Sequence, residues 1–222
     1  LWKYNKNNNW EFLGLAPGIY CHSSIAGPDG NIYSFGGIND RGFNSDLFIY
    51  NGKDWRTIKG PFPTGIMGHT ASITGDGLMF IIGGVTGPPN KEENFNADVW
   101  TYNIHTEKWN LESGGLRMYG HTACIIPRKK IINDIEYYKE NIIVIGGYYP
   151  TFEVTNEEGA THLGGTVQNI YSFDTRKRTW KFLGRLQKPR EFHSSVTINN
   201  DRIFVYGGYH IGNFWEDGEI IQ

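Results

Sequence analysis

Four apolar stretches of this chain end in a pair of glycines, and this repeated ending constrains the fold more than any other feature. The four pairs are Gly36-Gly37, Gly83-Gly84, Gly146-Gly147 and Gly207-Gly208. The residues before each pair are mostly β-branched or aromatic, which is typical of buried strands. Adjacent glycines mark a backbone that needs positive φ or a neighbour too close to allow a Cβ. Successive pairs lie 47, 63 and 61 residues apart, so the sequence predicts a repeated β unit.

Three other landmarks recur in a fixed order around the glycine pairs. A histidine with small, mostly hydroxylated neighbours precedes each pair, at His22, His69, His121 and His193. An alternating strand with an aromatic end follows the first three pairs, and a tryptophan then comes after a short polar turn, at Trp55, Trp109 and Trp180. Residues 1–14 match only the second half of this unit, and residues 192–222 match only the first half.

The order His, Gly-Gly, Tyr or Phe, Trp resembles the kelch repeat, whose period is about 50 residues. The resemblance covers essentially the whole chain. A WD repeat is the nearest alternative because Gly68-His69 and Gly120-His121 imitate its Gly-His, but no tryptophan here is followed by aspartate. The kelch resemblance implies an all-β protein, a β-propeller of four-stranded antiparallel blades.

With the blade strands called A to D, the chain is expected to form a single propeller domain or a fragment of one. Residues 1–14 supply strands C and D of one blade, residues 20–59, 68–113 and 119–184 form full blades, and residues 192–222 supply strands A and B of another. Either the two partial blades complete each other and close a ring of four, or the chain is part of a larger ring. We expect the larger ring, because about four blades is the lower limit for propellers.

Composition narrows the class of partner. A net charge of −2 predicts no bulk attraction to nucleic acid or to an anionic membrane. No stretch approaches the roughly 20 consecutive apolar residues of a membrane span, so we expect no membrane insertion. The chain has only two cysteines, Cys21 and Cys124, and no Asn-X-Ser/Thr acceptor, which favours a cytoplasmic protein.

Long loops are expected on one face of the disc. Strands alternate in direction within a blade, so the B-to-C loops (39–45, 85–97, 148–167 and from 209) share a face with the D-to-A loops (14–20, 60–67, 114–119 and 185–192). Aromatic and arginine residues are the usual anchors of protein interfaces. The predicted protein-binding residues are Arg41, Phe43, Arg117, Tyr119, Tyr148, Tyr149, Phe152, Arg190, Tyr209 and His210. The loop 148–167 is the strongest candidate because long loops in compact domains tend to be functional.

The four histidines raise the question of a metal site or an enzyme. A residue that recurs once per blade has a function once per blade, most simply a bond to the backbone of its own blade, so we predict no metal, no cofactor and no catalytic residue. The alternative is an enzyme similar to galactose oxidase or another carbohydrate-processing kelch protein. A copper site of that kind needs a Tyr-Cys cross-link, whereas Cys21 and Cys124 fall at first strands, where small core residues belong. The Glu and His spacing of kelch-like iron-dependent specifier proteins occurs once, at Glu158 and His162. By resemblance, the non-catalytic interpretation implies a substrate receptor of a ubiquitin ligase or a scaffold for cell polarity and the cytoskeleton.

Overall fold

A computed structural model of the chain describes residues 1–89, 91–132, 135–152, 163–199 and 201–222. The described residues contain 23 β-strands, one 3-10 helix at Glu92–Asn94 and no α-helix. The all-β prediction and the propeller are therefore confirmed. Strands β1 (Trp2–Tyr4) and β2 (Trp10–Phe12) form an isolated N-terminal hairpin, and the sheets that follow are the blades.

The first blade contains β3 (Ser23–Ala26), β4 (Ile32–Phe35), β5 (Ile38–Asn39), β6 (Gly42–Phe43), β7 (Asp46–Tyr50) and β8 (Trp55–Lys59). The second contains β9 (Thr70–Ile73), β10 (Leu78–Ile82), β11 (Asp98–Asn103) and β12 (Lys108–Gly114). The third contains β13 (Thr122–Ile132), β14 (Ile135–Ile145), β15 (Tyr148–Phe152), β16 (Leu163–Thr166), β17 (Asn169–Asp174) and β18 (Thr179–Arg185). The fourth contains β19 (Ser194–Ile198), β20 (Arg202–Tyr206), β21 (Tyr209–His210), β22 (Asn213–Phe214) and β23 (Gly218–Ile221).

Each of the first three blades is a four-stranded antiparallel sheet whose strands follow one another in chain order, β3-β4-β7-β8, β9-β10-β11-β12 and β13-β14-β17-β18. The extra strands pair two by two as small hairpins between B and C, at β5-β6, β15-β16 and β21-β22. The A strands β3, β9, β13 and β19 contact one another in that order, so they line the centre of the propeller.

The core lies between blades, because alternate residues of each B strand face opposite neighbours. In β10, Met79 and Ile81 pack against the first blade, whereas Phe80 and Ile82 pack against the third. The same alternation divides β14 between the second and fourth blades. These B strands are buried on both faces, which explains their continuous apolar sequence.

The tryptophans of the second and third blades also bridge blade boundaries. The indole nitrogen of Trp109 donates to the carbonyl oxygen of Lys59 at 3.1 Å, and that of Trp180 donates to the carbonyl oxygen of Gly114 at 3.3 Å. Both rings pack against interblade core clusters. They are packing residues, as the repeat pattern indicates.

The fourth blade differs from its prediction. It has a third strand, because β23 pairs with β20 over Tyr206↔Gly218 to Ile203↔Ile221, where the sequence analysis assigned only strands A and B. Among the described strands, β1 and β2 of the N-terminal hairpin pair only with each other. In the fourth blade, β23 occupies the position of strand C beside β20.

The described parts of the insertion at residues 127–140 continue two strands of the third blade. Strands β13 and β14 are each 11 residues long and pair from Thr122↔Ile145 out to Ile132↔Ile135, so the A-B hairpin of the third blade projects beyond its sheet. Within the described part of the chain, no helix is long and apolar enough to cross a membrane.

Candidate protein-binding face

The face that carries the B-to-C and D-to-A loops, called the upper face below, is organised by a collar of backbone hydrogen bonds around the central channel. In the second, third and fourth blades, the residue before the histidine donates its amide hydrogen to the carbonyl oxygen of its counterpart one blade earlier: Gly68 to Cys21 at 3.2 Å, Gly120 to Gly68 at 3.0 Å and Phe192 to Gly120 at 2.7 Å. All four residues have positive φ, between 52° and 65°. This conformation suits glycine, so Cys21 and Phe192 hold a strained backbone.

The paired glycines lock each blade to the next. The second glycine donates its amide hydrogen to a carbonyl of the following D-to-A loop, Gly37 to Ile66 at 2.7 Å, Gly84 to Met118 at 2.6 Å and Gly147 to Arg190 at 2.9 Å. Each acceptor stands three residues before the next blade's histidine. The first glycine faces that histidine's ring, so both halves of the pair leave no room for a side chain.

Three of the histidines hydrogen-bond to the preceding blade. The sequence pattern instead predicts a bond from each histidine to the backbone of its own blade. The Nε2 atoms of His69, His121 and His193 bond to Ser23 Oγ at 2.7 Å, Thr70 Oγ1 at 3.0 Å and Thr122 Oγ1 at 2.8 Å. Each hydroxyl follows the histidine of the preceding blade. Burial lowers the pKa of His69 and His121 to about 3 and that of His193 to about 4, so these rings are neutral. They line the channel mouth, a cavity of about 270 Å³.

His22 departs from this pattern because it is exposed, as is Cys21, which the sequence analysis assigned to the core. Cys124 is buried as expected, and neither cysteine is in a disulfide. In the described ranges, no group of three or more His, Cys, Asp or Glu side chains is arranged to hold a metal ion.

Seven of the predicted binding residues are exposed or partly exposed. Arg41 and Arg117 are exposed on the upper face, whereas Phe43, Tyr119, Tyr148, Tyr209 and His210 are partly exposed there. Tyr119 and Tyr148 form an antiparallel bridge with ring centroids 5.4 Å apart, so the structure brings these two together. Tyr209 packs on Phe214 at 5.3 Å within the β21-β22 hairpin.

Two of the predicted residues are structural. Arg190 is only 1% exposed, and its guanidinium donates to the carbonyl oxygen of Gly207 at 2.6 Å and bonds Asp217 at 3.2 Å and Glu219 at 3.3 Å. It ties the D-to-A loop at residues 185–192 to the fourth blade and is not available as a surface anchor. Tyr149 packs against the core cluster between the second and third blades, and burial raises its pKa.

The loop 148–167 lies only partly within the described residues. The backbone of Phe152 lies at the end of β15, paired with Leu163, but its side chain is outside the described part. Residues 153–162, which include Glu158 and His162, also lie outside the described residues. The described ends of loop 148–167 form the β15-β16 hairpin on the upper face.

The sequence reasoning missed several exposed apolar side chains on this face. Leu15 is 87% exposed, Phe214 81%, Ile211 76%, and Tyr20 and Phe192 each 59%. It also missed Glu191, which is buried beside Tyr119 and Tyr148. Tyr119 is among the predicted residues. The sequence favoured a packing role for Phe192 beside His193, and its exposure depends on the collar geometry.

A larger cavity of about 560 Å³ opens between the second and third blades on the lower face, the face of the A-to-B and C-to-D loops. Glu140 there accepts hydrogen bonds from the amide of Gly75 at 3.0 and 3.2 Å. Arg178 is held by Glu112 at 2.8 Å and stacks over Phe80 at 4.9 Å. These charges are largely used in joining the two blades.

Comparison with known proteins gives the family. Residues 18–214 match the family described as the Attractin/LZTR1 beta-propeller. Similar proteins include "Multiple epidermal growth factor-like domains protein 8" of Mus musculus, 27% identical over 81% of this chain and 6% of the relative. "Rab9 effector protein with kelch motifs" of Bos taurus is 28% identical over 68% of this chain and 37% of the relative.

An enzyme-named protein is also similar: "N-acetylneuraminate epimerase 1" of Escherichia coli O6:H1 is 24% identical over 89% of this chain and 60% of the relative. The chain thus spans less than two thirds of the length of each of these relatives. The solved structure titled "Structure of YjhT" superposes with a TM-score of 0.55 at 19% identity, over 97% of this chain and 85% of that one, which shows the shared fold. The chain belongs to the Attractin/LZTR1 β-propeller family, and the kelch resemblance read from its repeats is confirmed.

Proposed function

We propose that this chain is a non-catalytic protein-binding module that recruits its partner through the upper face. The observation that carries the proposal is the group of exposed apolar side chains on upper-face loops, including Ile211, Phe214 and Phe192. Aromatic side chains exposed on loops are frequent anchors of protein interfaces. The loops stand on a rigid ring, which is the usual arrangement for binding residues. A relative named as a Rab9 effector supports an interaction role for this class of propeller.

The non-catalytic part of the proposal depends on the use of the histidines. The Nε2 atoms of three buried histidines already form hydrogen bonds with hydroxyls of the preceding blade, at His69, His121 and His193. Elemental analysis of the purified protein tests this point. Stoichiometric copper or iron that is lost on changing His69 and His121 would overturn the non-catalytic proposal and favour an oxidative enzyme. Turnover of a sialic acid would instead favour an activity like that of the epimerase.

The upper face is tested by a pair of matched double variants. Phe192→Gly with Phe214→Ser removes two exposed rings from the upper face, and Leu111→Ser with Leu183→Ser removes two exposed apolar side chains from the outer strands β12 and β18. Partners recovered with the full-length protein from its own cells are quantified by mass spectrometry. We expect the first variant to lose them and the second to keep them. Equal recovery with both variants would show that the upper face is not the binding surface.

We also propose that the four blades belong to a larger ring in a cytoplasmic protein. Gly36, Gly83 and Gly146 each face the next blade's histidine. Beside Gly207, the described residues place only Trp215 O near an ideal Cβ, at 3.7 Å. The space beside Gly207 could therefore hold the histidine of a further blade. Class averages of the full-length protein in negative stain count the blades, and four would refute this. The free thiols agree with a reducing compartment, and a fluorescent fusion tests that location.

A further inference from the structure

The carboxylate of Glu191 is an uncompensated group in the upper face. The residue is 6% exposed, and its Oε1 accepts a hydrogen bond from Thr166 Oγ1 at 3.2 Å. Its Oε2 is buried and has no hydrogen-bond partner in the described part of the chain. A buried carboxylate with one unpaired oxygen is costly, because the single hydrogen bond from Thr166 does not replace the hydration that burial removes. The burial accordingly raises the pKa of Glu191.

Two tyrosines lie near this carboxylate, and the ring of Phe192 packs against one of them. Tyr148 pairs with Thr166 across the β15-β16 hairpin and bridges to Tyr119. Phe192, the next residue after Glu191, lies with its ring 5.7 Å from that of Tyr119. Glu191 is close enough to both phenols to add to the effect of their burial, which raises the pKa of Tyr119 to about 12 and raises that of Tyr148.

The repeat shows that the fold does not require a charge at this position. Two residues before the histidine, the first three blades carry Tyr20, Met67 and Tyr119, and the fourth carries Glu191. All four form the same antiparallel bridge to the residue that follows the glycine pair. The carboxylate therefore needs an explanation that the propeller itself does not supply.

We propose that Glu191, with the rings of Tyr119, Tyr148 and Phe192, forms a recognition site for a cationic side chain of the partner. The inference rests on the proposed function and names the group that the upper face selects. A bound cation would be attracted electrostatically both to the carboxylate and to the negative faces of the aromatic rings. Arginine fits best, since its planar guanidinium stacks on aromatic rings and donates two hydrogen bonds to one carboxylate. Because Oε2 is covered in the free chain, a flanking ring moves when the cation enters.

Small probes test the site without knowledge of the partner. N-acetylarginine amide is titrated into isotope-labelled protein and followed by NMR, with N-acetylcitrulline amide as the neutral isostere and N-acetyllysine amide as the second cation. We expect saturable shifts at Thr166 and Tyr148 with arginine, and at least tenfold weaker binding of citrulline. Lysine that binds with the same residue dependence identifies the site as one for any cationic side chain, and binding of arginine alone identifies it as guanidinium-selective. Equal binding of arginine and citrulline would overturn the proposal.

Variants separate the site from the rest of the face. Glu191→Gln keeps the size and should weaken arginine at least tenfold without loss of thermal stability, since it removes a buried charge. Glu216→Gln, an exposed carboxylate in the fourth blade, is the matched control and should bind like the wild type. If Glu191→Gln folds poorly, Tyr119→Leu tests the aromatic wall independently and should also weaken arginine.

Partner recovery then distinguishes the two proposals. A partner that is lost with the Phe192/Phe214 variant but retained with Glu191→Gln would refute the cation site and leave the binding module intact. Retention with both would refute the proposed upper-face function as well.

Discussion

Gly83 and His121 face each other across the boundary between the second and third blades. A Cβ on Gly83 would lie 2.6 Å from His121 Cε1 and 2.5 Å from the carbonyl oxygen of Met118, and the residue has φ +65°. We therefore expect Gly83→Ala to lower the free energy of unfolding by about 2–5 kcal/mol, from left-handed strain of about 1–2 kcal/mol and overpacking of about 1–3 kcal/mol. Chemical denaturation measures this loss.

Gly30→Ala is the matched control for that substitution. Gly30 has φ +82°, and among the described residues no neighbouring atom lies within 4 Å of its ideal Cβ. It should carry only the conformational cost of about 1–2 kcal/mol. Equal losses at the two glycines would show that the contact with His121 is not what excludes a side chain from Gly83.

The interblade histidines predict a dependence of stability on pH. Burial holds the pKa of His121 at about 3, against 6.5 in the unfolded chain. Between these values the unfolded state binds a proton that the folded state does not, so stability falls as the pH is lowered. One such histidine contributes at most about 1.4 kcal/mol per pH unit. We expect His121→Gln to flatten the decline in unfolding free energy between about pH 6.5 and 4.

The exposed His105 supplies the control for this experiment. His105→Gln should leave the slope of stability against pH as it is in the wild type, because its ring is not buried at a blade boundary. Parallel curves for the wild type and His121→Gln would mean that His121 takes up its proton in the folded state and that carboxylates alone cause the acid instability.

The sequence was sufficient for the fold because the propeller repeats local signals. The glycine pairs predicted strand ends, and the apolar B strands predicted burial on both faces. The hydrogen-bond partners of the histidines could not be predicted, since the partner of His121 is Thr70, 51 residues away in the preceding blade. The burial of Arg190 could not be predicted either. Its sequence position is that of a surface loop, but its guanidinium is buried where it bonds Asp217 and Glu219 of the fourth blade. Exposure of Phe192 follows from a positive φ that its residue type disfavours.

The ion pair between Arg178 and Glu112 should contribute to cohesion of the second and third blades. Arg178 Nε lies 2.8 Å from Glu112 Oε2, the side chains are 24% and 19% exposed, and Glu112 also accepts from Thr101 at 2.8 Å. Arg178→Met leaves that carboxylate half-buried with one partner fewer, and we expect a loss of about 1–3 kcal/mol in the free energy of unfolding. Urea denaturation provides the measurement.

Arg56 and Glu107 form a comparison pair at the boundary between the first and second blades. Their charged atoms are also 2.8 Å apart, but the side chains are 52% and 48% exposed. Water and salt screen such a pair, so Arg56→Met should cost roughly 0–1 kcal/mol. A loss as large as that of Arg178→Met would mean that the lower exposure of the Arg178–Glu112 pair does not determine its contribution, because methionine keeps most of the hydrocarbon stem in both variants.

Phe192→Gly should separate binding from stability. Phe192 has φ +52°, and the equivalent collar residues of the second and third blades are Gly68 and Gly120, with φ +64° and +65°. Glycine relieves left-handed strain of about 1–2 kcal/mol, offset by about 0.5–1 kcal/mol of extra unfolded-chain entropy and by the contact with Tyr119. We expect a melting temperature at or slightly above that of the wild type, measured by calorimetry, with loss of partner recovery. Cys21→Gly, at the same collar position, should gain similar stability and keep the partner. A marked fall in melting temperature for Phe192→Gly would show that the ring stabilises the collar, and its exposure would then no longer support a role in recognition.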